Sequence, residues 1–323
     1  MVKTTIDTDH IHLLSISTPF PVGKLNVYLI EGAIPTLVDT PPKGAGYMNE
    51  LQAALKARGY AIKDIRRIII THPHFDHCGA AAEIVRLSEA EVWASNGAAN
   101  YLEHFDDRFS RELQYYMEIL HQAGVPGDPR TYLKHLYNWA RIYGCIVPVS
   151  RLLEDGDEFE LGAVPYIVKT VPGHSPWCIL LCSQDRTSAF SGDFLLKDIS
   201  SNALIQRPGS EQHDYKSLKV YIASLQKVKK MAIQTAYPGH GEIIKDVTGR
   251  IDEIISFIEQ RQVLVHDILD RGPCRAFSIV QALFPDLEGE QLFLGISEVI
   301  GHLELLESEG IVQQREDGYW VVI

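Results

Sequence analysis

The run Thr71-His72-Pro73-His74-Phe75-Asp76-His77-Cys78-Gly79 places four side chains able to bind a metal within six positions. It follows Ile65 to Ile70, a β-branched stretch that predicts a buried strand. His72 and His74 are two apart, so an extended or tightly turning loop can aim both at one cation. Asp76 and His77 can then face a second. Imidazole with carboxylate favours Zn²⁺, and Mn²⁺ or Fe²⁺ fit the same mixed donor set. Matching donors stand where later strands are expected to end: His174 in Pro172-Gly173-His174-Ser175, Asp193 in Ser191-Gly192-Asp193, and His240 in Pro238-Gly239-His240-Gly241. Two cations about 3.5–4 Å apart bring a shared water toward neutral pKa, and the hydroxide attacks an electrophilic carbon or phosphorus. Asp76 is placed both to ligate and to orient that hydroxide. Ser175 and Cys78 flank the ligands without an evident base partner, so no covalent nucleophile is expected.

The elements that must position these residues alternate. Strands are predicted at 11–16, 25–30, 36–39, 65–70 and 91–93, with helices at 46–58 and 80–87 between them. Strands return at 157–161, 166–171, 178–182, 188–191 and 233–237, with helices at 214–230 and 247–269. This is the pattern of an α/β domain. Residues 98–143 differ: they hold nine aromatic residues in 46 positions at helical spacing. They read as two or three amphipathic helices inserted between strands, either burying a small core of their own or walling a ligand site. Cys178 and Cys182, four apart in an apolar run, read as core residues. The tail, 266–323, reads as a separate unit: helices at 276–284, 291–295 and 297–308, then a hairpin turning at Glu316-Asp317-Gly318. That is the order of a winged helix.

The ligand set resembles that of the metallo-β-lactamase-fold hydrolase superfamily, whose hallmark is His-x-His-x-Asp-His followed by a distal His, Asp and His. The resemblance covers about residues 10–245. It implies an αββα sandwich with the metals at one edge and a binuclear, metal-dependent hydrolase. By it, His72, His74 and His174 hold one metal, Asp76, His77 and His240 the other, and Asp193 bridges them. Asp39 resembles the family's carboxylate behind the ligands, which orients a histidine ring. Asp76 and Asp39 are therefore the candidate catalytic carboxylates. The di-iron flavoproteins of the superfamily carry a carboxylate where this chain has His74, so the ligand set is that of hydrolytic members.

The substrate is less legible. Trp177, close to the first metal, and Arg207, His213 and Tyr215, in the segment after Asp193, are candidate substrate contacts. Within the superfamily the chain is similar to the β-lactamase-like-protein-2 and glyoxalase-II-like group, the tail resembling the former's from Gly301 to Gly310. A small-molecule ester, thioester or lactone is the expected substrate. The alternative is a phosphodiesterase or endoribonuclease acting on single-stranded nucleic acid, an activity found in that group. Charge opposes the alternative. The net charge is −12, and −8 of it falls in residues 266–323, with three basic against eleven acidic side chains. A winged helix that grips phosphates should be basic. The tail is thus expected to pack or to form a homodimer. A hydrophobic fraction of 46% excludes a disordered chain, and five cysteines in 323 residues exclude a disulfide scaffold. The first residues carry acids and histidines where an export signal needs an apolar core. No run approaches a membrane span, so the expected setting is cytoplasmic.

Overall fold

The computed structural model describes residues 10–206, 215–287 and 290–323. Two β-sheets lie face to face. The first has six strands in chain order: β1 (Ile11–Ile16), β2 (Leu25–Ile30), β3 (Thr36–Val38), β4 (Arg67–Ile70), β5 (Glu91–Ser95) and β6 (Arg151–Leu153). β1, β2 and β3 pair antiparallel, and β3 to β6 run parallel. The parallel half needs crossovers, supplied by α1 (Ala45–Lys56), α2 (Phe75–Cys78) with α3 (Ala81–Ser88), and the insertion α4 (Asn96–Glu103), α5 (Phe105–Gln122) and α6 (Arg130–Tyr143). The second sheet is ordered β11–β10–β9–β8–β7, from β7 (Glu158–Leu161), β8 (Val164–Thr170), β9 (Ile179–Ser183), β10 (Ser188–Gly192) and β11 (Thr235–Pro238). Helices α7 (Ser217–Lys229) and α8 (Val247–Leu269) accompany it.

The apolar residues sort into layers. Tyr28, Val38, Ile69, Tyr166, Leu181 and Phe190 form one cluster between the sheets. Alternate residues of the same strands, such as Leu29, Leu37, Ile68 and Ile70, pack outward with Leu51 and Leu55 of α1 and Ile84 of α3. On the far side Leu180, Cys182 and Ala189 meet Tyr221, Leu225, Ile251 and Ile254. Period-two alternation on strands buried from both sides accounts for the all-apolar run of β4. Each fully buried isoleucine there contributes about 1.5–3 kcal/mol. The result is the αββα sandwich, and Cys178 and Cys182 are core residues of it.

The tail departs from expectation, and of the two readings of the insertion the small core of its own is not found. Tyr116, Leu120 and Leu133 share one apolar cluster with Val265 and Leu269 of α8 and with the tail residues Ile279, Phe293, Ile296 and Trp320. The tail is therefore not separate, and the expected boundary at 265/266 falls inside the continuous helix α8. Its helices are α9 (Ala276–Leu283) and α10 (Glu290–Ser308), followed by the hairpin β12 (Val312–Gln314) and β13 (Trp320–Val322). The expected break at 296 is absent. Gly295 sits within the continuous helix and allows close packing: a Cβ there would press on Leu287 and Val280. Among the described residues, no helix is long and apolar enough to cross a membrane.

Candidate metal centre

Every sequence-predicted metal ligand sits just past a strand end on one edge of the sandwich. His72 follows β4, and His74, Asp76 and His77 occupy the turn and the single-turn helix α2. His174 lies between β8 and β9, Asp193 directly after β10, and His240 just after β11. Donor atoms of His72, His74 and His174 lie within 4.8 Å of one another, and so do those of Asp76, His77 and His240. Asp193 spans the two groups. Its Oδ1 is 3.3 Å from His77 Nε2, and its Oδ2 is 3.8 Å from His174 Nε2 and 3.7 Å from His240 Nε2. Asp76 Oδ2 is 3.5 Å from His240 Nε2.

Behind these atoms the rings are held by oxygen acceptors, which fixes their tautomers. His240 Nδ1–H donates to the Lys24 carbonyl at 2.8 Å, and His174 Nδ1–H to the Asn202 carbonyl at 3.1 Å. His77 Nδ1–H donates to Asp39 Oδ2 at 2.9 Å. The Thr71 hydroxyl donates to the same Asp39 oxygen at 2.8 Å, so it accepts from His72 Nδ1 at 3.0 Å. All four rings thus present Nε2 to the centre, whereas His74 turns Nδ1 toward His174 Nε2, 3.0 Å away. Asp39 itself is buried and touches no other acid of the site in these bonds. Its Oδ1 accepts from the Thr71 backbone N–H at 2.8 Å, and its φ of 62° is unusual for a residue other than glycine. It is a positioning residue rather than one facing substrate.

The donors fit a cation. Nε2 of His72, His77 and His240 and Oδ1 of Asp193 are buried without a hydrogen-bond partner among the described residues. Buried polar atoms left unpaired are costly, and convergent nitrogen and carboxylate lone pairs suit a divalent ion. The electrostatics agree. Burial pushes His72 well below its usual range, with the His77 and His74 rings adding to the shift. Burial, then His174, lowers His74 to about 3. Burial opposes charge on His77, but Asp193, Asp76 and Asp39 together hold it well above its usual range. Burial would raise Asp193, yet His77 and His240 keep it well below. His72, His74 and His174 are thus held neutral, as ligands must be, while the acids draw a proton's positive charge to His77 and His240, the charge that a bound cation would supply in its place.

Two backbone positions make the packing possible. Any Cβ on Gly239 would overlap Asp193 Oδ1 and His77 Cε1. Asn26 and Tyr28 of β2 fasten that loop through bonds to the Pro238 carbonyl at 3.0 and 2.7 Å. Gly97 meets the Trp177 indole, leaving no room for a side chain. Trp177 is accordingly a packing residue. It is buried beside Tyr101 in the core under the first sheet, and it is not among the described residues lining the cavity next to the centre. That corrects the expectation of a substrate contact.

The cavity is lined by Pro73, His74 and Phe75 from the ligand-bearing turn and by Phe105, Phe109 and Trp139 of the insertion. Its volume is about 120 Å³, and its surface is largely hydrocarbon. The segment after Asp193 does border it, through Leu204 and Gln206. Neither residue carries an obvious sequence signal beyond its place in that segment. Tyr215 lies elsewhere, half-buried near Cys178, its hydroxyl without a partner among the described residues. Arg207 and His213 fall outside the described residues.

Comparison with known proteins agrees with this architecture. The family model of the metallo-beta-lactamase superfamily matches residues 21–240, and the chain belongs to that superfamily. A probable metallo-hydrolase of Bacillus subtilis is 30% identical over 96% of both chains. A beta-lactamase-like protein 2 homolog of Caenorhabditis elegans is 24% identical over 91% of this chain and 82% of its own. An atrochrysone carboxyl ACP thioesterase of a Cryptosporiopsis species is 26% identical over 93% of this chain and 77% of its own. The crystal structure of a metallo-beta-lactamase family protein from Thermus thermophilus superposes with a TM-score of 0.83 at 24% identity, covering 98% of this chain and 99% of that one. The chain is a member of a metal-dependent hydrolase superfamily, with a His/Asp site suited to divalent cations.

Proposed function

We propose that the protein hydrolyses small acyl thioesters at a binuclear metal centre. The observation that carries this reading is the junction at His74: one ring belongs to the ligand cluster and also closes an apolar cavity. A scissile carbonyl over the ligands can thus direct an acyl chain between Phe105, Phe109 and Trp139. Likeness to an ACP thioesterase over 93% of the chain supports the thioester within the broader class of esters, thioesters and lactones. His72, His74 and His174 would hold one cation, Asp76, His77 and His240 the other, and Asp193 both. Bound there, divalent cations, Zn²⁺ by preference, supply Lewis acidity that acidifies water and polarises a carbonyl. The chain's own part is orientation. Asp39 and Thr71 fix His77 and His72, the Lys24 and Asn202 carbonyls fix His240 and His174, and the aromatic walls keep water from the acyl side. Asp76, at 14% side-chain exposure the most open carboxylate of the three, orients incoming water.

The test is a hydrolysis screen over thioesters, carboxylic esters, lactones, β-lactams and phosphodiesters, with metal content measured in parallel. Acyl thioesters should lead. Faster turnover of single-stranded RNA or a phosphodiester, with steeply salt-dependent binding, would replace this reading with the nucleic-acid one.

A further inference from the structure

The cavity beside His74 is apolar along its aromatic walls but not throughout. Helix α5 presents Phe105, Phe109 and Glu112 to it, three and four residues apart on one face. Glu112 thus brings a carboxyl among the rings. Tyr101 Oη donates to its Oε2 at 2.8 Å, and the side chains of Gln206 and Tyr116 also hydrogen-bond to it. Gln206 lines the same cavity and is 3% exposed, with its Oε1 buried and without a partner among the described residues. Since its amide nitrogen serves Glu112, the free oxygen is an acceptor awaiting a donor. A hydrocarbon chain here would leave it unpaired, at a free-energy cost. A hydroxyl would donate to the Gln206 oxygen, which Glu112 aims by holding the amide nitrogen. Burial pushes the Glu112 carboxyl up, and the donors Tyr101, Gln206 and Tyr116 oppose that shift.

We propose that Glu112 and Gln206 form a specificity subsite that selects acyl groups carrying a hydroxyl along the chain over plain hydrocarbon acyl groups of equal length. The inference rests on the thioesterase reading. It is tested with paired 3-hydroxyacyl and plain acyl thioesters of four to ten carbons. The metal-loaded enzyme should favour the hydroxylated member in kcat/KM by about tenfold or more. Gln206→Leu and Glu112→Leu should bring that ratio near one, and Glu112→Gln should keep part of it. Melting temperature and metal content establish that each variant is folded. A wild-type ratio near one, or an unchanged ratio in folded Gln206→Leu, overturns the proposal. So does a preference that follows an amide in the thiol half and vanishes with amide-free thiols. Calorimetric binding of the free hydroxy acid against the plain acid separates the two readings. If no thioester is hydrolysed but the hydroxy acid binds better and loses that advantage in Gln206→Leu, the thioesterase reading fails and the subsite stands.

Discussion

Asp39 Oδ2 lies 2.9 Å from His77 Nδ1, and the two side chains are buried together at the end of the first sheet. The same carboxylate accepts the Thr71 hydroxyl and backbone N–H. One acid behind the ligands therefore sets His77 directly and His72 through Thr71.

Replacing Asp39 by Asn should weaken that control without removing a ligand. Affinity for the cation at Asp76, His77 and His240 should fall about 10–100-fold, read by competition with a chromogenic chelator. Affinity unchanged within error would mean that Asp39 does not tune His77.

Gly239→Ala changes no ligand either. Its methyl group would collide with Asp193 and His77, so metal content and hydrolysis should fall together while the far-UV spectrum stays native. Full metal occupancy in this variant would show that the loop relaxes freely.

The insertion should set chain length. Phe109→Ala opens the cavity, and the preferred acyl chain should lengthen in a kcat/KM series. Trp177→Ala should instead lower stability by about 3–5 kcal/mol and leave the chain-length preference alone. The opposite pattern would return Trp177 to the substrate.

Acid should destabilise the protein through His302. Burial lowers this imidazole to about 4, against about 6.5 in the unfolded chain. The unfolded state binds the extra proton first, so stability is full above pH 6.5 and declines as pH falls toward 4. The loss is about 3 kcal/mol when complete. In urea titrations at pH 7 and 4.5, His302→Gln should lose less stability than wild type over that interval. Equal losses would show that His302 is not held neutral.

The sequence discloses the site better than the pocket, for physical reasons. The ligands lie at strand ends, and strands of β-branched residues such as Ile68 to Ile70 declare themselves, so the fold and the His/Asp cluster are both legible. Packing across long separations is not. Trp177 beside His174 reads the same whether it meets substrate or Gly97, 80 positions earlier. The gap expected between 295 and 297 closes into one helix, in which Gly295 lets α10 lie close to α9. The tail reads as independent, and a core of the insertion's own stays open, because nothing local shows that Tyr116 will meet Phe293, at a ring separation of 4.6 Å. Glu112 and Gln206 are ordinary polar residues until the fold brings them to one cavity.

Metal stoichiometry tests the central claim most directly. Measured by elemental analysis alongside hydrolysis, the wild-type chain should hold two divalent ions, lose activity on chelation and regain it on reloading. His74→Ala and His240→Ala should each lose metal and activity together. Activity that survives exhaustive metal removal, or full occupancy in His74→Ala, would contradict the account.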